Sequence, residues 1–309
     1  MYDIIGDIHG HADELHQLLS KLGYDNSKGY YSHPERKAVF VGDFIDRGPK
    51  IRETLETVKA MTDHGAALAT MGNHEYNILC YSTIGPDGNH LRKHSHYSTL
   101  QVRATLDQFE SYKDEWSGYL NWFRKLPVYL DLGELRIVHA CWDQDNINEI
   151  PDDLEFSDEL LIELHSEMHY KKSPLYKAID ECLKGREERI PNGYFFADKY
   201  GKERSEMRVK WYKDVLKINY EEYYMEDIPE LRGKKVEAEL LKKTNFYGAD
   251  EAPVFCGHYW FRGTPRIEEK NVACVDYSIG KNEKLTAYRW DGEKELNNEK
   301  FVWVNGNLN

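Results

Sequence analysis

The sequence predicts an α/β fold with mostly parallel strands. Three short apolar runs near the N-terminus carry that expectation, together with the helix-like segments between them and a cluster of Gly, Asp, Asn and His closing each run. The runs are Tyr2–Ile5, Ala38–Val41 and Ala67–Met71, each short enough for a buried strand. Ala12–Leu22 places Leu15, Leu18, Leu19 and Leu22 on one helical face, and Arg52–Met61 does the same with Leu55, Val58 and Met61. Alternation of this kind gives βαβ units, whose ligands bind beyond the carboxyl ends of the strands, where the polar clusters fall. Further strands are expected at Val128–Leu132, Leu135–Val138, Pro253–Cys256, Val272–Val275 and Leu285–Trp290, the last two as a β-meander closing the fold. Between about Asp143 and Asp250 the chain becomes rich in Glu, Lys and Tyr with helix-like periodicity. Residues 1–309 are therefore read as a single domain, and 143–250 as a largely helical insertion packed over its core, because histidines that look essential lie on both sides.

Composition narrows the function classes. Hydrophobic residues make up 40% and charged residues 31% of the 309, enough for a sizeable core. The formal net charge of -13 disfavours nucleic acid and anionic membrane as partners, because either would need a local basic patch. Cys80, Cys141, Cys182, Cys256 and Cys274 are odd in number and form no C-x-x-C pair, which fits a reducing cytosol. No signal peptide and no run of ~20 apolar residues is visible, so a cytoplasmic location is expected.

The strand ends hold the chemistry. In order they read Gly6-Asp7-Ile8-His9-Gly10, Gly42-Asp43-Phe44-Ile45-Asp46-Arg47-Gly48, Gly72-Asn73-His74-Glu75, Val138-His139-Ala140 and Gly257-His258. Carboxylate, imidazole and amide groups would converge on one rim of the sheet, a mixed N/O set suited to Mn, Fe or Zn. GDxHG, GDxxDRG, GNHE and two isolated late histidines resemble the calcineurin-like metallophosphoesterase superfamily. The DRG and GNHE forms are similar to its phosphoprotein phosphatase branch, which includes bacterial serine/threonine phosphatases and diadenosine tetraphosphate hydrolases. Val275-Asp276-Tyr277-Ser278 followed by Leu285-Thr286-Ala287 is similar to the closing strands of that branch. Apart from the central insertion, the resemblance spans the chain. It implies a calcineurin-like fold, a mixed β-sandwich flanked by helices.

By that resemblance two divalent or trivalent metal ions are bound, Asp7 and His9 holding the first, Asn73, His139 and His258 the second, and Asp43 bridging both. Two cations ~3.5–4 Å apart need a shared anionic ligand and generate a hydroxide near neutral pH for in-line attack on phosphorus. The resemblance gives His74 the proton for the leaving-group oxygen, with Asp46 orienting its imidazole. Arg47 would clamp the phosphate through its planar fork. Arg262 is a candidate second substrate contact, although no motif places the family's second phosphate arginine. Glu75 is read as a loop support.

Other polar residues have blander readings. His90, His94 and His96 read as a solvated loop or lid, His11 as an exposed helix start, and Lys199–Arg208 and Lys242–Lys243 as solvated faces. Tyr259-Trp260-Phe261 could wall a pocket or pack. Cys141 and Trp142 set bulk beside His139, where the family usually has small residues.

The leading expectation is hydrolysis of phosphate monoesters, on a phosphoprotein or a small molecule. The alternative is a dinucleoside polyphosphate hydrolase. An open groove would admit a protein segment and a closed pocket a small molecule.

Overall fold

A computed structural model describes residues 1–166, 172–191, 193–197 and 203–307. Elements follow the chain as β1 (Tyr2–Ile5), α1 (Ala12–Leu22), β2 (Lys37–Phe40), α2 (Ile51–Asp63), β3 (Ala67–Ala69), α3 (Asn73–Ser82), α4 (His96–Phe109), α5 (Lys113–Phe123), β4 (Tyr129–Asp131) and β5 (Arg136–Val138). The next stretch holds α6 (Gln144–Ile147), α7 (Asp158–His165), α8 (Pro174–Lys184), β6 (Glu187–Arg189), β7 (Phe196–Ala197), β8 (Glu203–Arg204), β9 (Glu206–Arg208) and α9 (Tyr220–Tyr223). The chain closes with β10 (Val254–Cys256), β11 (Val272–Cys274), β12 (Asp276–Tyr277), β13 (Lys284–Trp290) and β14 (Phe301–Asn305).

Among the described residues two sheets form the core. One runs β12-β13-β1-β2-β3 with β14 also on β13, and the other runs β11-β10-β5-β4. β1, β2 and β3 pair in parallel, as do β5, β10 and β11, while β13 lies antiparallel to β1. The side-chain period of two explains why these strands read as unbroken apolar runs. Ile4, Val39, Ile137, Phe255 and Ala273 point into the cluster between the sheets. Their neighbours Ile5, Phe40, Val138, Cys256 and Cys274 point outward into the larger cluster shared with the helices. Each of these side chains is at most 1% exposed. A fully buried Val, Ile or Phe side chain contributes ~1.5–3 kcal/mol, so both faces are energetically committed. α1 buries Leu15, Leu18, Leu19 and Leu22 as its pattern predicts, and ends at Gly23 in the left-handed conformation (φ 91°).

The structure differs from the sequence reading in several places. Val272–Cys274 does not form a meander with the strand near Leu285. It pairs in parallel with β10 in the second sheet, and the meander is β12-β13-β14. A short apolar run gives no sign of which sheet it will join. The described residues from Glu187 to Arg208 are not helical but hold small antiparallel pairs, β6 with β9 and β7 with β8, where Pro191 and Gly193 interrupt helical continuity. Its Ile190, Met207, Val209, Tyr220, Tyr223 and Tyr224 form a separate apolar cluster. His11 is buried rather than exposed, with Nδ1 3.5 Å from Glu14. All five cysteines are buried and free. Among the described residues no helix is long and apolar enough to cross a membrane.

Candidate active site

Three loops of the first sheet and two of the second meet beyond their strand ends. Strand β1 delivers Asp7 and His9, β2 delivers Asp43, Asp46 and Arg47, and the turn after β3 starts α3 with Asn73 and His74. His139 follows β5, and His258 follows β10. Five of these residues hold positive φ without being glycine: His9 (48°), Asp43 (53°), Asp46 (67°), Arg47 (71°) and His258 (73°). Such conformations cost of order 1–3 kcal/mol each and persist only where the surroundings enforce them. Glu75 does much of the enforcing. Its carboxylate accepts from the backbone N–H groups of Asp43 (2.9 Å), Phe44 (2.9 Å) and Gly72 (3.0 Å). Glycine clearance matters as well, since a Cβ on Gly72 would lie 2.2 Å from Asp43 Oδ1 and one on Gly257 2.1 Å from Asp7 Oδ1.

Asp43 stands at the centre. Its Oδ2 lies 3.6 Å from His9 Nε2 and 3.9 Å from His74 Nε2, and its Oδ1 lies 3.5 Å from His139 Nε2. The Oδ1 atom also accepts the His74 backbone N–H at the start of α3 (2.9 Å), where a helix favours negative charge. Two groups able to hold a cation thus share Asp43 among the described residues: His9, Asp43 and His74, and Asp43, His139 and His258. Asn73 Oδ1 sits by the second group, 3.2 Å from His139 Nε2 and 2.7 Å from His258 Nδ1. Asp7 falls in neither trio. Its carboxylate accepts the His258 backbone N–H at 3.2 Å.

The donor atoms fit metal ions. His9 and His139 donate Nδ1–H to the carbonyls of Ile45 (2.9 Å) and Val41 (2.7 Å), which turns both Nε2 atoms toward the centre. The buried Nε2 atoms of His9 and His258 have no hydrogen-bond partner, a state that costs roughly 1–3 kcal/mol per group unless a ligand satisfies it. Burial, then the Asp276 and Asp43 carboxylates, push Asp7 well above the usual range. Clustered buried acids of this kind are relieved by a cation. Burial followed by His74 pushes His9 well down, keeping it neutral. Burial opposes ionisation of Asp43, but His139 and His74 overcome it and hold the carboxyl well below its ordinary value.

His74 is wired separately. Its Nδ1 lies 2.5 Å from Asp46 Oδ2. Asp46 is itself fixed by Thr105, which donates to Oδ1 (2.5 Å) and accepts the Asp46 N–H (3.1 Å). Burial opposes protonation of His74, but the Asp43 and Asp46 carboxylates raise its pKa overall.

Beside the centre opens a cleft of about 730 Å³. Its lining includes Met207, Arg208, Tyr259, Trp260 and Lys281. Arg262 is not brought there, because its side chain is 66% exposed and lies 3.8 Å from Glu283. Arg208 takes that place instead. Burial lowers the pKa of His258, and the charge of Arg208 is its next largest cause. The Arg208 Nε is buried without a partner. The solvated-face reading of Lys199–Arg208 therefore fails at Arg208, whereas residues 199–202 lie outside those described. The polar/apolar alternation of Glu206-Met207-Arg208-Val209 was the available sign of a strand there. Lys242 is exposed as expected, while Lys243 is half-buried, its Nζ lying 2.7 Å from buried Asp143. Tyr259 and Trp260 wall the cleft while Phe261 stacks on Tyr259. Cys141 and Trp142 are buried in the core, Trp142 against Tyr129, and add no bulk to the cleft. His90 and His94 stack at 3.9 Å, with Tyr81 on His94 at 3.7 Å, apart from the metal-competent groups.

Comparison with known proteins agrees with this geometry. The profile of the family described as calcineurin-like phosphoesterase matches residues 2–214. The bis(5'-nucleosyl)-tetraphosphatase PrpE of Halalkalibacterium halodurans is 34% identical over 150 residues, covering 47% of this chain and 59% of that protein. The protein of the same name from Bacillus subtilis is 37% identical over 155 residues, covering 48% and 60%. The chain thus spans about three fifths of the length of these curated relatives. A solved structure provisionally described as a diadenosine tetraphosphatase superposes with a TM-score of 0.50 at 15% identity, covering 100% of this chain and 94% of that one, a likeness of fold.

Proposed function

Since this chain belongs to the calcineurin-like phosphoesterase family, we propose that it is a hydrolase that cleaves a phosphate ester with two bound metal ions. The observation that carries the reading is Asp43 set between two imidazole groups, with the buried His9 and His258 Nε2 atoms unpartnered. Asp7, His9 and Asp43 would hold one ion, and Asp43, Asn73, His139 and His258 the other. Such a pair of ions supplies an activated water and neutralises phosphoryl charge.

The chain's own groups do the rest. Arg208, on the cleft wall, and Arg47, against the Trp260 ring, would present guanidinium forks to the phosphate oxygens. His74 holds a proton on Nε2 for the departing oxygen, and Asp46, locked by Thr105, fixes the tautomer through Nδ1. Residues 143–250 act as one insertion that supplies Arg208, and their Trp211, Tyr212 and Tyr247 join the main core.

A cleft of about 730 Å³ lies within the ~300–1,000 Å³ typical of small-molecule sites, which favours a small phosphorylated substrate over a protein segment. A second reading, a dinucleoside polyphosphate substrate, is supported by the names of the relatives at 34% and 37% identity. The test is turnover of p-nitrophenyl phosphate, its bis-ester and diadenosine tetraphosphate by metal-stripped protein, with and without Mn²⁺, beside a metal count. Two metals per chain with metal-dependent cleavage of the monoester supports the first reading, and preference for the dinucleotide the second. Failure to bind metal under replete conditions refutes both.

A further inference from the structure

Arg47 leaves β2 through a left-handed turn (φ 71°) as an exposed residue, and its guanidinium makes no hydrogen bond or ion pair among the described residues. What it does contact is the Trp260 ring, with Cζ 4.1 Å from the centroid. The same ring stacks on His9 at 5.3 Å and 25° and carries Lys281 Nζ at 4.4 Å. Trp260 is placed at some cost, since it too holds positive φ (58°), an outlier for so bulky a residue. Asp276 enforces that conformation, accepting the backbone N–H groups of Trp260 (2.6 Å) and Ser278 (2.9 Å). The Phe261 N–H to Asp276 carbonyl bond (3.1 Å) and the Ser278 hydroxyl to Phe261 carbonyl bond (3.1 Å) tie the two loops together.

Gly280 completes the arrangement. A Cβ there would lie 2.8 Å from Arg47 Cδ, 3.0 Å from His9 Cδ2 and 3.1 Å from Trp260 Cη2. Its φ is not positive, so space rather than backbone conformation excludes a side chain.

We propose that Trp260 is a positioning residue for Arg47, and that Gly280 provides the space in which His9, Trp260 and Arg47 meet. A carboxylate partner would also restrain an arginine, but it would occupy the N–H donors and cancel the charge that a phosphate needs. An aromatic face restrains the guanidinium by its quadrupole and leaves the in-plane donors available. The contact also limits the rotamer freedom that a long side chain would lose on gripping substrate.

The inference rests on the reading of Arg47 as a phosphate ligand, and the experiment separates the two. On manganese-loaded protein, calorimetry gives the Kd for inorganic phosphate and p-nitrophenyl phosphate gives kcat and KM, for wild type, W260L, W260F, G280A, R47A and the W260L/R47A double variant, each with a metal count. W260L should weaken phosphate binding and raise KM by about 2- to 30-fold at unchanged metal content. W260F should recover part of that loss, and G280A should move in the same direction as W260L. In the R47A background W260L should add little. Equal loss in both backgrounds, no loss, or loss of metal in W260L overturns the positioning role. Unchanged phosphate binding in R47A would instead refute the assignment of Arg47 to phosphate.

Discussion

Replacing His74 by Asn tests the proton-donor assignment most directly. His74 is 7% exposed and its Nδ1 is committed to Asp46 at 2.5 Å, which leaves Nε2 as the one ring nitrogen able to serve a leaving group. A positioned general acid contributes ~10²–10⁴-fold, which at 1.36 kcal/mol per decade is about 2.7–5.4 kcal/mol of barrier. That loss should appear in full for phenyl or alkyl phosphates, whose departing oxygen must be protonated. It should shrink to about tenfold or less for p-nitrophenyl phosphate, which leaves as a stable anion. Asp46→Asn should follow the same trend with a smaller loss, because Thr105 and the backbone still hold the side chain. The assay is kcat/KM across aryl phosphates of graded leaving-group acidity, with a metal count on each variant. Equal losses for good and poor leaving groups at full metal occupancy would refute the assignment.

Four further outcomes are expected. Asp43→Asn should lose bound metal and nearly all turnover, read by elemental analysis and hydrolysis together, since both candidate groups share this carboxylate. Chelation should lower the melting temperature and Mn²⁺ restore it, with stabilisation of about 4 kcal/mol at a free concentration 1,000 times Kd; an unchanged thermal transition would count against metal at this site. Asp143→Ala removes one of two carboxylates paired with the buried Arg186 side chain, which is 4% exposed and lies 2.7 Å from Asp143 and 3.3 Å from Glu181, and should cost about 1.5–3 kcal/mol in urea unfolding. Burial opposes ionisation of Asp143, but Lys243 and Arg186 hold its pKa below the ordinary value. Its contribution is therefore complete above the unfolded value of about 3.9 and is lost as pH falls through the lower folded value, an acid-side slope that the variant should lack. Phe255→Ala, between the sheets and 4.9 Å from Tyr288, should cost about 3–5 kcal/mol by the same measurement.

Much of the site was legible because it sits at strand ends. A glycine-bounded cluster after an apolar run fixes both where the chain turns and which rim it turns onto, so Asp43, His74 and His139 could be named without coordinates. His258 was legible for the same reason despite standing alone after β10. Arg208 and Arg262 show where that logic stops. Arg262 lies four residues beyond His258 yet points to Glu283 on the surface, while Arg208, inside a run of charges, turns to the cleft. Proximity in sequence says little about direction once the chain has left a regular element, because one residue of register on a strand reverses the side chain.

From the sequence alone came the alternation of strands and helices, both faces of the central strands, and the order in which potential ligands reach the rim. Those features depend on periodicity and on residues within a few positions of one another. Only the tertiary structure decided that Val272–Cys274 joins the second sheet, that Trp260 lies on Arg47, and that Arg208 rather than Arg262 lines the cleft. Each of these depends on a contact between segments distant in the chain, and is settled by packing and by the pairing of buried polar groups, for which local sequence carries no signal.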